Sequence, residues 1–239
     1  ARPAGPGFAR DGGKPRAANR RSVTSKKRGA GGRLHSVTRR RASIMYLYLV
    51  RHGQSVGNER QLFFGAKDYP LTPLGREQAK QAADKLREVS FTRCVASPLS
   101  RAWDTALICT EGRGVSPEPA PALQEQDMGA MEGLTWGAAE ARFGDHIGAL
   151  LADWLHTTPP EGESPSHMLR RVAGCVDVLL DRGEDTLVVA HNGSLSLILL
   201  YLGLAGEQDL LRPGWFFRHG AYSAIRADEA GAELVCFNR

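Results

Sequence analysis

From position 45 onward the chain alternates short apolar or β-branched runs with stretches whose apolar residues recur every three or four positions. That is the pattern of parallel strands covered on both faces by helices. Residues 46–50 (YLYLV) read as the first strand. Thr72 offers an N-cap and Pro73 a first helical residue, and Ala79, Ala82, Ala83 and Leu86 then fall at i, i+3, i+4 and i+7. A helix is predicted there, to about Val89. Residues 92–96 form the second predicted strand, Ser97 and Pro98 cap a second predicted helix through Ile108, and 117–121 reads as loop. One or two helices are expected between Leu134 and Thr158, then a loop at 159–163. Ser164 and Pro165 begin a helix carrying Met168, Val172, Val176, Leu179 and Leu180 on one face. Residues 186–190 are a predicted buried strand, followed by an apolar helix to about Leu202. Segments 221–226 and 233–237 read as a terminal strand pair joined around Gly231. With no internal repeat and no long linker after position 45, the reading is one α/β domain at 45–239, a three-layer α/β/α sandwich with a mostly parallel central sheet.

Charge divides the chain differently. Residues 1–44 hold 13 of the 31 Lys and Arg but one of the 26 acids, net +12, which leaves the other 195 residues at −7. This first segment lacks aliphatic periodicity and cannot offset its ordering entropy by burial, so disorder is expected. Three readings stand for it: an Arg- and Ser-rich transit peptide, a polybasic arm for nucleic acid or acidic lipid, or a stretch upstream of the working protein, with Met45 as the natural start. Nucleic-acid contact is expected nowhere else. The apolar run at 195–204 is about half of the ~20 residues a membrane span needs, so no membrane role is expected. Cys94, Cys109, Cys175 and Cys236 lie far apart and read as reduced packing residues. A cytoplasmic protein is the reading that follows; oligomeric state is not legible.

Candidate chemistry sits where the strands stop. Val50 runs into Arg51-His52-Gly53, Ala96 into Ser97-Pro98-Leu99-Ser100-Arg101, and Ala190 into His191-Asn192-Gly193. In open α/β sheets the strand C-terminal edge is where a ligand crevice forms. Arg101 would lie in a first helical turn, where the macrodipole disfavours a cation unless an anion accompanies it; pairing with a surface acid is the plainer alternative. Gly193 leaves room for a second close approach of an anion. A two-histidine metal site lacks a third ligand at short spacing, for neither H-x-x-x-H nor D-x-H stands near His52 or His191, so no metal is expected. No cofactor motif is present.

Leu49-Val-Arg-His-Gly-Gln-Ser55 with Asn58 resembles the opening motif of the histidine phosphatase superfamily, which includes the cofactor-dependent phosphoglycerate mutases. The resemblance continues through Asp68-Tyr-Pro-Leu-Thr-Pro-Leu-Gly75, Ser97-Pro-Leu-Ser-Arg-Ala102, Leu123-Gln-Glu125 with Gly129 and Glu132-Gly133, Pro159-Pro-Glu-Gly-Glu-Ser164 and His191. It implies a phosphoglycerate mutase-like fold and a metal-independent phosphomonoesterase in which His52 attacks phosphorus and water hydrolyses the phosphohistidine. Arg51, Arg101, Asn58 and a protonated His191 would hold the phosphoryl oxygens, and Glu125 would protonate the leaving alcohol. Arg suits this because its planar fork engages two oxygens at once.

Mutases of this pattern carry an extended insertion after the Leu-x-Glu motif, whereas about thirty residues separate Glu132 from Glu163 here. A phosphatase is therefore favoured, similar to α-ribazole or broad-specificity phosphatases, over a mutase or a non-catalytic phospho-ligand binder. Asn192 replaces a common Gly, Ser196 stands where Arg is frequent, and Phe64 where some broad-specificity relatives carry a polar residue. Phe63, Phe64 and Trp136 are candidates for an aromatic pocket wall.

Overall fold

The computed structural model describes residues 44–239. The basic segment read as 1–44, with its expected disorder, falls almost wholly on residues 1–43, which lie outside the described residues. Six strands form one sheet in the order β3-β2-β4-β1-β5-β6, from β1 (Met45–Arg51), β2 (Arg93–Ala96), β3 (Pro117–Pro119), β4 (Thr186–Ala190), β5 (Tyr222–Asp228) and β6 (Gly231–Cys236). The first four in that order are mutually parallel, and β5 and β6 add antiparallel at one edge.

Side chains alternate across the sheet, and each face has its own core. Leu47, Leu49, Val188 and Ala190 pack with α5 (Pro165–Arg182) and α6 (Asn192–Tyr201). Tyr48, Val50, Leu187 and Val189 pack with α2 (Pro73–Leu86) and α3 (Ser100–Thr110). This is the three-layer sandwich that the alternation predicts. Thr72 caps α2 by accepting from the Gly75 N–H at 3.0 Å, and Ser164 caps α5 by accepting from the His167 N–H at 3.3 Å. The region between Leu134 and Thr158 holds one helix, α4 (Trp136–Ala152), kinked where Phe143 leaves helical geometry.

Two expectations fail. Residues 117–119 are not loop but an edge strand; Pro117 and Pro119 are tolerated because β3 pairs on one side only. Nor does Ser97 cap the second helix: α3 begins at Ser100 with Leu99 at the cap position. Its terminus is satisfied by a carboxylate distant in sequence, since the N–H and hydroxyl of Ser100 donate to Asp68 at 2.8 and 3.0 Å. That leaves Ser97 free for the site.

Candidate active site

Three parallel strands end level. Arg51 stands opposite Ala190, and Ala96 opposite Val189. One residue further on, the N–H groups of His52 and Ser97 donate to Ala190 and Val189, each at 3.0 Å. Neighbouring strands lie about 4.8 Å apart, so His52 and His191 meet edge to face with ring centroids 5.0 Å apart. The Nδ1 atom of His52 lies 2.7 Å from the Gly53 carbonyl. A carbonyl only accepts, so Nδ1 carries the proton and Nε2 presents its lone pair. Position 53 must be glycine here, because a Cβ would fall 2.0 Å from the Gly75 carbonyl oxygen. His52 is 3% exposed. Burial first, then the neighbouring His191 ring and the Arg51 and Arg101 charges, hold its imidazole well below the usual range.

Both arginines are already held by the protein along part of the guanidinium. Arg51 donates from Nη1 to the Phe217 carbonyl at 2.9 Å. Arg101, fully buried in the first turn of α3, donates from Nη1 to Lys67 O at 3.1 Å and Asp68 Oδ1 at 3.4 Å, and from Nη2 to Gly65 O at 2.6 Å. Its guanidinium also lies over the Phe64 ring at 4.9 Å. In both residues Nε is buried without a partner among the described residues. Each arginine is thus anchored at Nη1 and keeps its Nε side for another acceptor. Asp68 is the surface acid paired with Arg101, the plainer of the two readings of that residue, and it also meets the helix terminus.

The structure alters three further expectations. His191 is fully buried, and burial followed by the Arg101 and Arg51 charges holds it well below the usual imidazole range; its environment favours the neutral ring, not the protonated one. Its Nε2 meets Ser97 Oγ at 2.8 Å, and its Nδ1 is buried without a partner among the described residues. Asn58 closes a capping box on α1 (Val56–Glu59), its Oδ1 accepting from the Ser55 N–H and Oγ at 3.0 and 2.9 Å. A donor role therefore falls to Nδ2. Gly193 does not leave its N–H for an anionic ligand, but donates it to Glu125 Oε2 at 3.0 Å. A Cβ there would stand 2.3 Å from Glu125 Oε1 and would displace that carboxylate.

Glu125 is half-buried and lines a cavity of about 380 Å³ together with Asp127 and Glu163; His52 is more deeply buried than Glu125 and is not part of that lining. The Gln126 N–H donates to its other oxygen at 3.0 Å. Its loop is pinned by Arg171, which forms a two-bond pair with Glu163 and donates to the carbonyls of Ala122, Gln124 and Glu125. Glu132 accepts from Gly65, Ala66, Lys67 and Met128 N–H groups at 2.8–3.1 Å, and so fixes the loop whose carbonyls hold Arg101. His219 donates from Nδ1 to the His52 carbonyl, its ring 5.6 Å from that of His52. Burial, then Arg51, lowers it to about 4. Of these three, sequence reasoning missed Arg171 and His219 altogether and left Glu132 without a role; Glu132 and Arg171's partner Glu163 stand in the motif blocks, whereas no signal there leads to His219. Phe63 stacks on Trp136 at 5.4 Å, and the Phe64 ring lies against the Arg101 guanidinium.

The chain is similar to known proteins over nearly all of its described residues. The sequence profile of the histidine phosphatase superfamily (branch 1) matches residues 47–239. An adenosylcobalamin/alpha-ribazole phosphatase of Salmonella typhimurium is 33% identical over 198 residues, covering 81% of this chain and 96% of that protein. A 2,3-bisphosphoglycerate-dependent phosphoglycerate mutase of Nitrobacter winogradskyi is 38% identical over 177 residues, covering 70% and 85%. Among solved structures, an alpha-ribazole phosphatase from Shigella flexneri superposes with a TM-score of 0.75 at 29% identity, covering 82% of this chain and 96% of that one. A phosphoglycerate mutase from Bacillus anthracis shares the fold, with a TM-score of 0.72 at 19% identity over 83% of this chain and 94% of that one.

Proposed function

This chain belongs to the histidine phosphatase superfamily, and from that premise we propose that it hydrolyses a small phosphomonoester through a phosphohistidine on His52, without a metal. The observation that carries the reading is the set of buried, unpartnered nitrogens around the nucleophile: Arg51 Nε, Arg101 Nε and His191 Nδ1. Buried donors are almost always satisfied, and the oxygens of one phosphoryl group match this set. With Nδ1 of His52 committed to Gly53, Nε2 attacks phosphorus and the P–O ester bond breaks. Equatorial charge is met by the Nε sides of the two arginines, by His191 Nδ1 with Ser97 accepting or donating behind it, and by Asn58 Nδ2. Glu125 protonates the departing alkoxide and then takes a proton from the water that attacks the phosphohistidine. A dianionic phosphoryl group beside His191 would raise the affinity of that ring for a proton.

The fuller coverage of the phosphatase relative, 96% against 85% for the mutase, favours hydrolysis over transfer. By similarity α-ribazole phosphate is a candidate substrate, with a broader set of metabolite phosphates beside it. The identity with a mutase supports a second reading, phosphoglycerate interconversion, which conversion of 3-phosphoglycerate into 2-phosphoglycerate would register. The working unit is taken as residues 45–239, with the basic segment 1–44 outside it. No helix among the described residues is long and apolar enough to cross a membrane, and a cytoplasmic location fits a metabolite substrate.

Leaving-group chemistry tests the assignment. Glu125→Gln should lower kcat on an alkyl phosphate by roughly 10²–10³-fold, while a nitrophenyl ester, whose phenol leaves without help, should lose about tenfold or less. Equal losses on both esters would remove Glu125 from the acid role.

A further inference from the structure

The carbonyl that anchors Arg51 belongs to Phe217, in the loop that precedes β5. Residues 216–218 lie outside every helix and strand, so their polar backbone groups must find partners elsewhere. Side chains supply all of them. Asn238 Nδ2 donates to Phe216 O at 2.9 Å, the Phe217 N–H donates to Asn192 Oδ1 at 3.0 Å, and the Arg218 N–H donates to Asn238 Oδ1 at 2.8 Å. With Arg51 Nη1 donating to Phe217 O at 2.9 Å, both peptide units that flank Phe217 are fully engaged by residues distant in sequence. The Phe217 side chain is buried and meets the Phe237 ring edge to face at 5.0 Å.

The two arginines are secured unequally. Arg101 is fixed by Lys67 O, Asp68 and Gly65 O, with the Phe64 ring against it. Among the described residues the Phe217 carbonyl is the one acceptor that the Arg51 guanidinium engages. That group is planar and rigid, so any shift of its anchor carries along Nε, the nitrogen left for the phosphoryl group. We propose that Asn192 and Asn238 are positioning residues, which aim Arg51 at the phosphoryl group through the backbone of 216–218. The proposal rests on the hydrolase reading, because the aim of Arg51 affects turnover only if its Nε meets the transferring group. Asn192 directly follows His191 and opens α6. One short segment thus supplies a phosphoryl-holding ring and sets the direction of a second holder. A misplacement of about 1 Å in such a group can cost on the order of 100-fold in rate.

The test is a double-mutant cycle on kcat/KM of the full chain with p-nitrophenyl phosphate, whose leaving group does not depend on Glu125. Asn192→Ala should lower kcat/KM by about tenfold to a hundredfold, chiefly through kcat. Asn238→Ala should lower it by about threefold to tenfold. In an Arg51→Ala background each should cost less than about twofold, because the group they aim is gone. A residue that served folding alone, or that touched the substrate itself, would cost the same factor in both backgrounds, and that result would overturn the proposal. If Asn192→Ala fails to fold, the cycle with Asn238→Ala has the same two outcomes. Absence of hydrolysis by the unaltered chain would count against the hydrolase reading instead. The Arg51 Nε–H resonance of the ¹⁵N-labelled protein, assigned by its loss in Arg51→Ala, then decides. It should shift or broaden in Asn192→Ala and in Asn238→Ala while the Arg101 resonance keeps its place; an unmoved Arg51 resonance would overturn the proposal.

Discussion

At the scale of single residues, the state of His52 is set chiefly by burial and then by the cations around it. The sign is definite: a nearby positive charge and a dry surrounding both disfavour the protonated imidazole, so the nucleophile stays neutral well below pH 6.5. Arg101→Ala removes a charge and admits water, and both changes raise the imidazole affinity for protons. The acid limb of kcat/KM should therefore move to higher pH in that variant, as a pH–rate profile will show; an unmoved or lowered limb would contradict the electrostatic reading. Gly193→Ala places a Cβ against the Glu125 carboxylate. It should slow alkyl phosphates more than nitrophenyl phosphate, mimicking loss of the acid, with the leaving-group comparison as readout. Arg51, His52 and His191 were legible in the sequence because they follow buried strands directly. His219 and Arg171 were not, since each acts on a backbone carbonyl 46 to 167 positions away, a pairing that no local spacing encodes.

At the scale of elements, the arginine cage is held from behind. Glu132 gathers the N–H groups of Gly65, Ala66, Lys67 and Met128, the 65–67 segment presents carbonyls to Arg101, and Asp68 closes the α3 terminus beside it. If Glu132 acts through Arg101, the effects of Glu132→Ala and Arg101→Ala on kcat/KM should be strongly non-additive, the double variant being little worse than Arg101→Ala alone. Additive losses would reduce Glu132 to a general contribution to folding. The helices and strands of the sandwich were readable because both periodicities are strong after Met45. The start of α3 was misplaced for a physical reason. Ser97 and Pro98 look like a cap, but the hydroxyl is taken by His191 and the helix terminus is met by Asp68 across 32 residues. The edge strand was missed because two prolines normally signal loop, and only its one-sided pairing admits them.

At the scale of the whole molecule, two buried histidines and the half-buried His219 tie stability to pH. His52, His191 and His219 all have folded-state affinities for protons below the usual 6.5, His219 at about 4. Between those limits the unfolded chain binds more protons than the folded one, so stability rises with pH across the window and falls as pH drops from about 6.5 towards 4. His219→Gln, which keeps a donor for the His52 carbonyl and removes one of these titrations, should shallow the fall of Tm across that window; an unchanged slope would contradict it. The account as a whole depends on a covalent bond between His52 and phosphorus. Rapid-quench capture of label from a ³²P-phosphomonoester tests it most directly. The prediction is an acid-labile, alkali-stable phosphoenzyme mapped to the peptide containing His52, absent in His52→Ala together with turnover. Hydrolysis that proceeds in His52→Ala, or label found on another residue, would contradict it.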